Sequence, residues 1–162
     1  MPLPEIGEYT PDFTLAQHEN GATQHLAEIT AQAPSLIAFF KQSCVTCRLT
    51  LPFIERLHRH YPALQVLGIS QDDAEDTSAF VQQTGLTFPV VRDGDWKVST
   101  AYDLFTVPSV FLLDKGGSVR RVNMGWNKEQ YLGLSDEIAR VLDTAPVPLL
   151  TDSDKVPIFK PG

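Results

Sequence analysis

The chain has two cysteines, and they stand three positions apart. Cys44 and Cys47 follow an apolar run, Leu36-Ile37-Ala38-Phe39-Phe40, and precede a helix-like pattern from Leu49 to His60. This places a Cys-x-x-Cys at a strand-to-helix junction, where dithiol redox chemistry has what it needs. The reactive sulfur must act as thiolate, and a free thiol ionises near pH ~8.5. The first turn of a helix offers unpaired backbone N–H groups and a partial positive charge, so a sulfur held there ionises more readily. Spacing i, i+3 returns the second sulfur to the same helix face. It can then attack a mixed disulfide formed on the first.

A chain of 162 residues suits one domain with one sizeable core. The net charge of -7 argues against a nucleic-acid partner, because phosphate binding needs a basic face. Two cysteines cannot build a disulfide scaffold, and a zinc site needs four ligands, so catalysis is the favoured use. Met1-Pro2-Leu3-Pro4-Glu5-Ile6-Gly7-Glu8 has neither the basic nor the apolar region of a signal peptide. No run approaches the ~20 apolar residues of a membrane span. The expectation is a cytoplasmic protein without membrane attachment, or a periplasmic one if a leader has been removed.

Taken in order, residues 1–11 read as an extended, proline-rich lead-in. Asp12 to Leu15 reads as a short strand and Gln24 to Gln32 as a helix. Ser35 to Phe40 and Leu64 to Ser70 read as core strands, apolar on both faces. Between them Leu51, Ile54, Leu57 and Tyr61 make an apolar stripe of helical period, interrupted by Pro52. Ser43 is placed to cap that helix. Asp72, Asp73, Glu75 and Asp76 read as the solvated start of a helix that ends at Gly85. Phe88 to Val91 is expected at a sheet edge because of Pro89, and Asp95 to Leu104 is expected to be helical. Ser109 to Leu113 and Ser118 to Met124 flank Asp114-Lys115-Gly116-Gly117, a hairpin signal. Asn127 to Leu142 closes the pattern as an amphipathic helix. The result is an α/β fold with a central mixed sheet flanked by helices. Residues 1–145 form the domain, and 146–162, with four prolines, read as an extended tail that packs on the surface or stays mobile.

The chain resembles the redoxin branch of the thioredoxin fold, the group that holds TlpA-like and ResA-like thiol-disulfide oxidoreductases and, more distantly, the AhpC/TSA peroxiredoxins. The resemblance covers about residues 8–143. It rests on Cys44-x-x-Cys47, on Pro52 five residues later, and on the strand Val66 to Asp72. It rests also on Tyr102-Asp103-Leu104-Phe105-Thr106-Val107-Pro108-Ser109 and on the hairpin Phe111 to Gly117. It implies a thioredoxin-like fold with a C-terminal β-hairpin and helix. It implies that Cys44 is the exposed attacking nucleophile, Cys47 the buried resolving cysteine, and Pro108 a cis-proline facing them. Val107, before that proline, would pair its backbone with an extended substrate, and Ser43 and Thr46 would border it. Lys41 and Arg48 flank the motif and are candidates to stabilise the thiolate. The redox group is the Cys44–Cys47 disulfide itself, with no other cofactor and no metal. The partners implied are a disulfide-bearing protein or small thiol and an electron donor, with the chain acting as a monomer.

Two departures from the family pattern stand out: Ser43 where tryptophan is usual, and Ala38 where thioredoxin has a buried aspartate. Two other functions compete. A peroxiredoxin-type peroxidase has a Pro-x-x-x-Thr-x-x-Cys loop, but the matching positions are Ile37 and Lys41 before Cys44, or Phe40 and Cys44 before Cys47. A copper-delivery module has a Cys-x-x-x-Cys with a distant histidine; here the spacing is shorter. His18, His25, His58 and His60 read as surface residues, and Trp96 and Trp126 as core or rim.

Overall fold

The computed structural model describes residues 2–162. In chain order the elements are β1 (Thr14–Ala16), β2 (Thr23–His25), α1 (Leu26–Gln32), β3 (Ser35–Phe40), α2 (Val45–His60), β4 (Gln65–Ser70) and α3 (Ala74–Thr84). There follow β5 (Val90–Arg92), α4 (Lys97–Ala101), β6 (Ser109–Leu113), β7 (Val119–Met124), β8 (Trp126–Asn127), α5 (Lys128–Leu142) and β9 (Phe159–Lys160).

The main sheet has the order β5-β4-β3-β6-β7. β3 lies in the middle, parallel to β4 and antiparallel to β6. All six of its residues are buried, which is why its sequence is apolar without alternation. Successive side chains point to opposite faces. Phe39 meets Tyr102 and Phe111 on one side, with ring centroids 5.1 and 6.1 Å away. Phe40 stacks on Phe80 of α3 at 4.4 Å on the other. Helices α2 and α3 make the crossovers between the parallel strands, and β6 and β7 form the antiparallel hairpin. The mixed sheet expected from the sequence is present. β5 is an edge strand, as Pro89 suggests.

Two elements differ from expectation. Gln24 and His25 do not begin a helix; they pair with β1 in a small antiparallel ribbon. Asp12 then takes the helix start, accepting the Ala27 N–H at 3.0 Å. The helix expected over Asp95–Leu104 shrinks to α4. Buried Asp93 accepts the N–H groups of Val98 and Ser99 at 3.0 and 2.7 Å, so the first turn is capped from outside the run. Trp96 at φ 61° and Asp103 at φ 53° bound it with left-handed backbone.

Residues 146–162 dock on the domain. Tyr61 Oη accepts the Val147 N–H at 2.8 Å, and Leu149 is buried. Arg56 of α2 makes two 2.8 Å bonds to the Asp154 carboxylate. Trp126 Nε1 donates to the Pro157 carbonyl at 2.7 Å, and β9 pairs antiparallel with β8. The tail thus runs back along α2 to the end that carries the cysteines.

Candidate active site

Helix α2 starts at Val45, and Cys44 is its N-cap. Ser43, the expected cap, is exposed and outside the first turn. A sulfur takes the role usually filled by oxygen: Cys44 Sγ accepts the Cys47 N–H at 3.0 Å. When protonated, the Cys44 thiol in turn donates to the Val107 carbonyl at 3.4 Å. The Val107–Pro108 peptide bond is cis. Both cysteines are free thiols in this structure, and Cys47 is fully buried.

The two sulfurs have opposite electrostatics. The Cys47 thiol, donating to Cys44, brings the Cys44 pKa down to about 6 against the opposing effect of burial; the Cys47 and Thr46 N–H groups and the Lys41 charge add to the lowering. Burial pushes Cys47 up, and the hydrogen bond it gives to Cys44 pushes it further. One sulfur is a thiolate at neutral pH while the other keeps its proton, the division a two-step exchange needs.

Lys41, Cys44, Thr46 and Val107 line one cavity of about 430 Å³. Arg48 does not; its Nη1 donates to the Gln42 carbonyl at 2.6 Å and braces the loop before the helix. The resemblance implies an exposed Cys44, but this residue is only 8% exposed. Lys160, Pro161 and Gly162 form the other wall of its cavity. The Thr46 hydroxyl donates to the Pro161 carbonyl at 2.6 Å. Gly162 lies so close to the cis-proline loop that a Cβ there would collide with Thr106 Oγ1 and the Val107 carbonyl.

Sequence reasoning missed three contributors. Besides the tail wall, Asp72 leaves the start of α3, where Asp73 is the cap, and accepts the Gln42 N–H at 2.6 Å. It pins the loop that leads into the cysteines, and burial raises its pKa. Tyr131 of α5 is fully buried near Cys47, and burial raises the phenol's pKa; ionising Cys47 would raise it further. The first apolar half of α5 was the only signal for Tyr131. Trp126, the core reading of which fits, stacks on it at 4.9 Å. Trp96 instead borders a second, smaller cavity next to Lys41. His25 pairs with Asp12 and His18 with Ser78, away from the sulfurs. Among the described residues no group of three or more His, Cys, Asp or Glu is placed to hold a metal ion, and no helix is long and apolar enough to cross a membrane.

Comparison with known proteins agrees with this geometry. Residues 6–122 match the model of the AhpC/TSA family. The thiol-disulfide oxidoreductase ResA of Geobacillus thermodenitrificans is 28% identical over 123 residues, which is 74% of this chain and 70% of ResA. A Chlorobium tepidum chain assigned as the thiol:disulfide interchange protein DsbE superimposes with a TM-score of 0.78 at 23% identity, covering 86% of this chain and 99% of that one. A secreted Mycobacterium tuberculosis disulfide oxidoreductase homologous to E. coli DsbE gives 0.68 at 21%, covering 79% and 95%. The fold is thioredoxin-like, a central mixed sheet flanked by helices.

Proposed function

Because the chain belongs to the AhpC/TSA family, we propose that within it this protein is a thiol-disulfide oxidoreductase working through Cys44 and Cys47. The observation that carries this is the Cys44 sulfur capping the start of α2, accepting the Cys47 N–H at 3.0 Å, with buried Cys47 one turn on. The similarity to ResA supports the same reading. Cys44 thiolate attacks one sulfur of a substrate disulfide, forming a mixed disulfide and releasing a thiolate. Cys47 then loses its proton and attacks the Cys44 sulfur. The Cys44–Cys47 bond forms and the second substrate thiolate leaves. Two electrons pass from protein to substrate, and an external donor restores the dithiol. Lys41 supports the thiolate. Pro108 and Val107 form the surface against which the substrate sulfur is presented.

No other redox group enters this scheme, and one chain suffices for it. The peroxidase alternative has less support, since neither cysteine follows the loop residues that orient a peroxide. For a cytoplasmic chain the direction is reduction of the substrate.

Cys47→Ser tests the order of attack. Mixed with a disulfide, it accumulates an adduct on Cys44 detectable by mass, while Cys44→Ser accumulates none. An adduct on Cys47 in the Cys44→Ser variant, formed as fast as in the reverse case, contradicts the assignment.

A further inference from the structure

The approach to Cys44 is narrowed by the chain itself. In an open groove an extended protein segment would lie along Val107. Here the backbone of Gly162 is packed against the Val107 carbonyl and Thr106, leaving no room even for a Cβ. Pro161 is tied to Thr46 at 2.6 Å. On the other side Gly125, at φ 62°, permits the close pass: a Cβ there would stand 3.0 Å from Gly162 N and from the Lys160 carbonyl. What remains is an open cavity of about 430 Å³, within the range that holds small molecules.

Its side-chain charge is the reverse of the protein's. The side chains carry a net -7, yet no acidic side chain lines this cavity, and its two charged side chains are those of Lys41 and Lys160. Among the described residues neither lysine has a carboxylate within salt-bridge distance. Lys41 comes from the loop before α2 and Lys160 from β9, so two separate segments each bring a cation to the cavity that Cys44 lines. Two cations in the cavity of a nucleophilic sulfur suit a disulfide with an anionic group on each half, and focus such a ligand into the cleft.

We propose, building on the oxidoreductase reading, that the preferred substrate is a low-molecular-weight disulfide bearing carboxylates on both halves, held by Lys41 and Lys160, and that residues 160–162 disfavour protein disulfides. The exchange balances as written for the protein: the dithiol and one small disulfide give the Cys44–Cys47 bond and two small thiols. Cys47 and the solvent-equilibrated Cys44 supply the two protons.

The test uses pre-reduced full-length protein in single turnovers, read as loss of its free thiols. Its oxidants are dithiodipropionate (anionic), hydroxyethyl disulfide (neutral), cystamine (cationic) and insulin. Each rate is divided by that of free mercaptoethanol with the same disulfide, which removes intrinsic reactivity. The expected order is anionic, neutral, cationic, with an anionic-to-cationic ratio of about tenfold or more that shrinks at high salt. Lys160→Glu should collapse that ratio by about tenfold and Lys160→Arg should keep it. Insulin should be slowest per disulfide. A ratio near one, a ratio unmoved by Lys160→Glu in a variant with native circular dichroism, or insulin outpacing dithiodipropionate overturns the proposal and leaves the oxidoreductase reading standing. Failure to reduce any of the four sinks both.

Discussion

The Thr46 hydroxyl donates to the Pro161 carbonyl at 2.6 Å across 115 residues of chain. One hydrogen bond thus joins the first turn of the cysteine helix to the segment that walls the cavity. Thr46→Val keeps the side-chain shape and removes the bond. It should cost about 1 kcal/mol in denaturant unfolding and raise the rate at which iodoacetamide modifies Cys44 several-fold. An unchanged rate would mean that the tail does not limit access.

The Cys44 pKa of about 6 lies below the ordinary thiol value of 9.0. Iodoacetamide modification of Cys44 should therefore rise with a midpoint near pH 6 and level off before the range where a free thiol starts to ionise. Lys41→Gln withdraws a cation that favours the thiolate, so its midpoint should move upward. The sign for stability follows from the same shift. A depressed folded-state pKa contributes stability that is complete above the unfolded value and lost as pH falls through the folded one. Relative to Cys44→Ser, the reduced protein should gain stability between about pH 6 and 9.

Glu55 is a buried carboxylate on α2 that accepts the Thr87 N–H at 2.8 Å, the Thr87 hydroxyl at 2.7 Å and Arg59 Nε at 2.7 Å. It fastens the helix to the segment before β5. Glu55→Ala leaves three donors unmatched and should destabilise by about 2 kcal/mol. Burial acts to raise the Glu55 pKa, but the Thr87 and Arg59 hydrogen bonds outweigh it and the net shift is downward. Its contribution is therefore present at neutral pH and lost as pH falls through that lowered value. In acid titrations the gap between wild type and Glu55→Ala should narrow.

Gly125→Ala tests the tail wall without altering the tail. The alanine must hold a left-handed backbone at about 1–2 kcal/mol, and its Cβ presses on Gly162 and Lys160. Faster tryptic cleavage after Lys155 in the tail and faster Cys44 modification should appear together. Destabilisation with neither change would show that the turn bears the strain alone.

The sheet and the dithiol were legible because their signals are dense. Leu36 to Phe40 is apolar without a break, and Cys44, Cys47, Pro52 and Pro108 stand at informative spacings. Other parts were written in single residues. Asp93 caps α4 from outside its helical run, and Asp72 reaches the Gln42 N–H across 30 residues. Nothing periodic announces either bond. The tail was harder still. Pro161 and Gly162 join the site through backbone atoms, which every sequence possesses. Residues 146–162 read as extended and proline-rich, and they are extended. Leu149 and the Arg56–Asp154 pair show what fastens them, but only once α2 and the tail lie side by side.

A helix begun on a sulfur ties folding to electron affinity. In the dithiol state Cys44 presents a thiolate to the Cys47 N–H and to the positive end of α2. Once the disulfide forms, that negative charge is gone and the helix end loses its best counter-charge. Whatever favours the thiolate therefore favours the reduced protein over the oxidised one. Of two otherwise equal dithiols, the one capped in this way holds its electrons more firmly, as the strongly oxidising members of such dithiol series do. The first turn of α2 is in that sense a setting of the redox couple, and substitutions that loosen it should make the protein a stronger reductant even where they touch neither cysteine.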